Sequence, residues 1–193
     1  MNQQLHRITA KLKQLKNLDI NYQLFGAQHH RYQLNLPLAI EQIQHFEQQH
    51  NIVLPKEYVA FLTHIGNGDA GPFLGVEPFE NALFVDLDYP SAKLLLHPNR
   101  VFPHQNAWNV MFSATCDEDD EDDEDDEHDE QQYFEFHSHQ MDGCIAICNY
   151  GCGVSLHLVV NGVEYGHIWT DDRANDGGIY PSQALGHRER VTF

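Results

Sequence analysis

Residues 143–169 read GCIAICNYGCGVSLHLVVNGVEYGHIW. Three apolar runs stand out in this stretch: Gly143–Cys148, Val154–Val160 and Tyr165–Trp169. Turn residues separate them, first Asn149-Tyr-Gly-Cys-Gly153 and then Asn161-Gly162. Runs of this length bounded by Gly and Asn read as strands, and an Asn-Gly pair between two of them reads as a tight hairpin. Connections this short join antiparallel neighbours. The stretch is predicted to form an antiparallel meander.

Upstream, Val110–Thr115 and Tyr133–His137 are also predicted strands. Between them lies the sequence DEDDEDDEDDEHDE, Asp117–Glu130. On this reading the acidic run is an insertion between two sheet strands.

The N-terminal half has a different period. Leu5, Ile8, Leu12 and Leu15 recur at helical spacing, with Arg7, Lys11, Lys13 and Lys16 on the other faces. Residues 17–35 show no clear period. After Pro37, the stripe Ile40, Ile43 and Phe46 predicts a second helix. Pro55 suits the first turn of a third, whose core stripe is Tyr58, Phe61, Leu62 and Ile65. Gly66 is predicted to cap it, and a glycine-rich loop follows. Helices first and a meander afterwards define an α+β domain, with helices packed on a mainly antiparallel sheet. We divide the chain into a helical extension, 1–35, and an α+β domain, 36–193, carrying the acidic insertion 117–130.

Charge has to be divided before it means anything. The chain of 193 residues has 29 acids and 11 Lys plus Arg, a net charge of −18. Thirteen of those acids fall in the 14 positions 117–130, leaving a net of −5 over the other 179 residues. Like charges at this density repel one another and bury nothing, so the run is expected to be a solvated, disordered segment. Such a segment can also steer a basic partner. It lacks the glycine and ligand spacing of a calcium loop. With no basic excess to neutralise phosphates, direct nucleic-acid binding is not expected.

Hydrophobic residues make up 41 % of the chain, enough for a sizeable core at this length. Nothing in the sequence suits a bilayer span or a signal peptide, and the cysteines Cys116, Cys144, Cys148 and Cys152 do not form a disulfide framework. A reduced, cytoplasmic protein is expected.

Catalytic signals are weak. No GxSxG elbow occurs, and GNGDAGP (66–72) lacks the Lys-Ser/Thr ending of a phosphate loop. Cys144, Cys148 and Cys152 are spaced by four and are expected on one face, but the apolar CIAIC context reads as buried thiols. His137-Ser-His139 would align two imidazoles on a strand face, the basis of an alternative metal-assisted hydrolase reading. No metal and no cofactor is expected. The more interesting cluster is Trp169-Thr-Asp-Asp-Arg173 with Asp176 beside Gly177-Gly178. It is either a buried Trp with an Asp–Arg pair or a recognition edge.

Two blocks also resemble a known family. LPKEYVAFL (54–62) with GNGDAGPFLGVEPF (66–79), and GCGVSLHLVVNGVEYGHIWTDDRANDGGIYP (151–181), are similar to the bacterial SUKH immunity superfamily. That superfamily also contains the fungal cell-wall assembly regulators of the Smi/Knr type. The blocks occur in the family's order, and the acidic run lies outside both. The resemblance implies a non-enzymatic fold that binds and neutralises a toxin domain, in many cases a nuclease. A nuclease grips phosphates with a basic surface, so an acidic inhibitor can occupy it.

The expected partner is therefore a basic protein, and the protein itself a monomer or weak homo-oligomer without membrane attachment. Candidate partner-binding residues are Trp169 (as an aromatic anchor if exposed), Asp171, Asp172 and Asp176, with Asp119, Asp120, Glu121, Asp122, Asp123 and Glu124 of the run. The alternative within the same resemblance is a regulatory scaffold using the acidic segment as a docking arm.

Overall fold

The computed structural model describes residues 2–112, 132–133, 135–183 and 190–193. Among the described residues, four α-helices and a helical turn over 135–138 precede a four-stranded sheet. The α-helices are α1 (Asn2–Leu18), α2 (Ala27–His30), α3 (Ile40–His50) and α4 (Lys56–His64). The strands are β1 (Cys144–Gly151), β2 (Val154–Val159), β3 (Ile168–Asp172) and β4 (Gly178–Pro181), antiparallel in the order β1-β2-β3-β4. The α+β reading holds. The acidic run, however, enters ahead of β1 and not between two strands; residues 117–130 lie outside the described residues.

The helices form where amphipathic stripes dictate. At the start of α3 the Ala39 N–H donates to Gln42 Oε1 at 3.0 Å, and at its end Asn51 turns into the left-handed region. Glu47 Oε1 then accepts the Leu54 N–H at 2.7 Å and folds the chain back. Pro55 sits one residue earlier than expected, as the N-cap of α4. Tyr58, Phe61 and Leu62 bury the predicted stripe. Gly66 is needed for a different reason from the one expected. A Cβ there would stand 2.6 Å from the Asn35 carbonyl oxygen, so the glycine permits close backbone approach. Helix α1 has no fully buried position among its described side chains.

Both faces of the sheet are covered. On one, Ile145, Ile147, Leu156 and Leu158 meet Ile43, Leu54, Tyr58 and Leu62 from the helical half. On the other, Cys144, Ala146, Val159, Trp169 and Ile179 meet Leu96, Phe102 and Met141 from the irregular segments. Double-sided burial explains why β1 and β2 read as continuous apolar runs.

Several expected elements differ. The register of β1 against β2 shifts between Ala146 and Cys148, a bulge that turns Cys148 onto the helical face while Cys144 stays on the other. Cys152 lies exposed in the β1–β2 turn, so the three thiols do not share a face. Residues 135–138 are helical and not a strand, because Tyr133 and His137 stack at i, i+4 with ring centres 4.4 Å apart. Residues 110–112 are not a strand, and 113–115 lie outside the described residues.

The Asn161-Gly162 pair does not make a two-residue hairpin. The Val160 and Asn161 N–H groups both donate to the Gly143 carbonyl, and the Asn161 carbonyl accepts from Phe102 N–H at 3.0 Å, which opens the loop and delays β3 to Ile168. Gly178–Pro181, expected as turn and edge, forms β4. Trp108 extends it by exchanging two backbone hydrogen bonds of 2.7 Å with Ile179.

Candidate functional site

The loop-covered face opens into a cleft of about 320 Å³. Its walls are apolar, from Leu87, Leu96, Met141 and Val154, while Ser155, His137, Asp171 and Arg173 supply polar groups. The residues come from four separate segments of chain. Strand pairing sets Ser155 opposite Asp171.

Arg173 grips Asp171 with two bonds, Nη2 to Oδ2 at 2.6 Å and Nε to Oδ1 at 2.8 Å. Its Nη1 donates to the His137 carbonyl at 2.8 Å. One guanidinium thereby ties the end of β3 to the helical turn that follows the acidic run. Burial pushes the Asp171 carboxyl up, but the hydrogen bonds and charge of Arg173 outweigh it and leave the group below its ordinary value. Bidentate geometry makes this one of the stronger kinds of ion pair.

Beneath the cleft, Ser155 Oγ and His157 Nε2 are 2.8 Å apart. The pair superficially resembles a nucleophile and its base. Burial lowers His157 to about 4, outweighing the nearby Asp171 charge that pushes it up, and among the described residues its Nδ1 has no partner, so no carboxylate hydrogen bond orients the imidazole. Burial also pushes the Cys148 thiol up to about 12 and Cys144 well above its ordinary value. These are inert thiols and not activated nucleophiles.

At the cleft margin sits an aromatic cluster. Phe112 and Tyr133 are in edge contact at 5.5 Å, and Phe136 stacks against both Phe112 and Trp108 at 5.6 Å. Residues 112 and 133 flank the acidic run on either side. The described ends of chain on either side of the run therefore meet in one aromatic stem, and Tyr133 and His137 of that stem also line the cleft.

The expected recognition residues are placed unequally. Trp169 is completely buried, edge-on to Phe102 at 4.9 Å and under the Arg190 guanidinium, so the exposure that an anchor requires is not met. Asp171 is buried and committed to Arg173. Asp172 is half-buried and lines a different groove with Phe73, Tyr150 and Tyr180, as alternation along a strand requires. Asp176 is exposed, and its carbonyl accepts Asn109 Nδ2 at 2.8 Å. Asp119, Asp120, Glu121, Asp122, Asp123 and Glu124 lie outside the described residues.

His137 and His139 do not converge. His137 faces the cleft, while His139 meets Arg100 and Asp142. Sequence reading missed Asp86 and Asp88 on the cleft wall. Asp86 Oδ1 accepts the N–H groups of Asp88 and Tyr89, and Asp88 accepts from Asn149 Nδ2 at 2.8 Å and Gly153 N–H at 3.0 Å. The Asp-x-Asp-Tyr-Pro spelling is the turn signal that could have marked them.

Fold and cleft together define an α+β domain of helices laid on an antiparallel meander, with a charged cleft on the far face. The model of the SMI1 / KNR4 family (SUKH-1) matches residues 37–180, and the chain belongs to that family. Comparison with curated proteins and with solved structures gave no match. Among the described residues, no helix is long and apolar enough to cross a membrane. Membership agrees with an immunity or interaction protein, in a family that is generally non-catalytic.

Proposed function

We propose that this is a non-enzymatic immunity protein that acts in the cytoplasm by binding and neutralising a cognate basic toxin domain, a nuclease. The observation that carries the reading is the aromatic stem. Phe112 and Tyr133, in contact at 5.5 Å, bring together the described ends of chain on either side of the 13-acid run, and Tyr133 lines the cleft. The run, with Asp119–Glu124 at its centre, raises the rate of encounter with a basic surface, and half-buried Asp172 with exposed Asp176 extends the negative edge. The cleft, with apolar walls and a buried ion pair, suits one protruding side chain of the partner. Neutralisation follows from occupancy, because a nuclease site that is covered cannot grip phosphate.

The test is kinetic. A candidate basic toxin domain, sought in the genes neighbouring this one, is purified as an inactive variant, and association is measured against salt. A rate that falls steeply with salt, and falls again when the acids of 117–130 become Ser, supports the reading. Absence of binding to that domain overturns it. Binding to a host regulatory protein instead would point to the scaffold alternative, with the same segment as docking arm.

A further inference from the structure

Two tight turns face each other at the entrance to β1. Arg100 N–H donates to the His97 carbonyl at 3.1 Å, closing residues 97–100, and Asp142 N–H donates to the His139 carbonyl at 3.3 Å, closing residues 139–142. Gly143 N–H then donates to the His97 carbonyl at 3.0 Å and locks one turn onto the other. Gly143 has φ +76°, and a Cβ there would stand 2.4 Å from Phe102 N, so the approach demands glycine.

On this frame one donor atom each from His97, His139 and Asp142 lies within 4.8 Å of the others. The side chains of His139 and Asp142 meet at 3.1 Å, Nδ1 to Oδ2. Two ligands bound to zinc at ~2.0–2.1 Å stand roughly 3–3.4 Å apart, so this spacing is that of neighbouring vertices. The two imidazole centres are 6.1 Å apart, within reach of one ion, since each ring centre stands roughly 3.2 Å from a metal held by its nitrogen.

The polar arrangement also carries a conflict that Arg100, the cation already there, does not remove. Asp142 is buried, with 9 % of its side chain accessible, yet its partners are the more exposed Arg100 and His139. Arg100 Nη1 lies 2.7 Å from His139 Nδ1 and 3.3 Å from Asp142 Oδ2. The same imidazole nitrogen can accept from the guanidinium or donate to the carboxylate, but not both. A divalent ion satisfies nitrogen and carboxylate together.

We propose that His97, His139 and Asp142 form a binding site for a divalent transition ion of the zinc class, with Arg100 as the displaceable cation that covers the same donors. Half of the Arg100 side chain is accessible, so solvent lies on its outer side. Two imidazoles and a carboxylate are borderline ligands that suit zinc, cobalt or nickel better than calcium or magnesium. Residues 135–138 lead directly into His139, so a bound ion would pin the helical turn that carries the stem of the acidic run. The site is independent of the immunity reading and stands or falls separately.

The experiment uses the full, untagged chain. Cobalt binding is followed by its visible absorption and zinc by calorimetry and by the rise in Tm. The expected result is one equivalent bound, weakened at least tenfold by His97→Ala and by His139→Ala, and tightened several-fold by Arg100→Ala. His97 and His139 are exposed, so these variants keep their fold, which unchanged circular dichroism verifies. Replacing the acids of 117–130 by Ser should leave the equivalent in place. No binding by the wild type, or an equivalent retained in both histidine variants, overturns the proposal. Loss in the acid-to-Ser variant alone would assign the ion to the acidic run and overturn it equally.

Discussion

The two faces of the sheet are built from the same strands but from different chemistry. Along β2, Leu156 and Leu158 point into the helical half, while Ser155 and His157 alternate onto the other face. The helix-covered face is packed by side chains whose role is exclusion of water. The loop-covered face buries His157, Asp171 and Trp169 and leaves a cleft above them. Stability and recognition are thereby separated across one layer of backbone, and each face can be perturbed without the other.

The largest expected effect breaks the helical face. Leu62 is fully buried against the sheet, and Leu62→Ala should lower the unfolding free energy by about 4 kcal/mol through lost burial and the cavity left behind. Denaturant unfolding reads this. Partner affinity of the folded protein should not change, and a loss below about 1 kcal/mol would show that the helices do not carry the core.

On the other face, Arg173→Met leaves Asp171 buried without its cation, at a cost of about 3 kcal/mol, the low end for such pairs because the arginine keeps some contact with water. The double variant Asp171→Asn with Arg173→Met should recover part of this loss. Because the folded carboxyl titrates below its unfolded value, the pair's contribution is complete above the ordinary carboxylate range. It is lost as pH falls through the lower folded value. The acid limb of a stability–pH curve should flatten in the double variant.

A third test uses His157, held neutral by burial at about 4 against an ordinary value near 6.5. Between those values the unfolded chain binds a proton that the folded chain does not. Stability should therefore fall by roughly 3 kcal/mol as pH drops from 6.5 to 4. His157→Gln should remove that slope while leaving the carboxylate limb. An unchanged slope would mean that another group titrates there.

The smallest expected effect on stability sharpens the comparison most. Replacing the acids of 117–130 by Ser should alter unfolding by no more than about 0.5 kcal/mol, since a run of like charge at this density brings no apolar side chains to bury. The same change should slow partner association severalfold at low salt. A large change in stability would mean that the run supports the cleft face structurally.

Much of the fold was legible because its signals are local. The stripe Tyr58, Phe61, Leu62 marks α4 whatever surrounds it, and the glycine-bounded runs mark β1 and β2. Tyr133–His137 misled because Tyr-Phe-Glu-Phe-His alternates as a strand would while also placing two rings at i, i+4. Strand β4 was hidden because two glycines and a proline read as turn, and only its pairing with β3 and Trp108 extends it. The Asp171–Arg173 pair was legible from spacing as one of two readings. The cleft was not, because its walls come from residues 85–96, 133–141, 149–155 and 171–174.

The sequence by itself determined the partition of charge, the order of helices before a meander and the family. Those depend on period, composition and motif, which each short window carries. Only the tertiary structure decided which residues face outward. It turned Trp169 and Asp171 inward, split Cys144 from Cys148 at a bulge, and brought His97 to His139 and Asp142. Facing is set by register and by contacts between distant segments. A one-residue shift in register reverses it without altering the local pattern that a sequence displays.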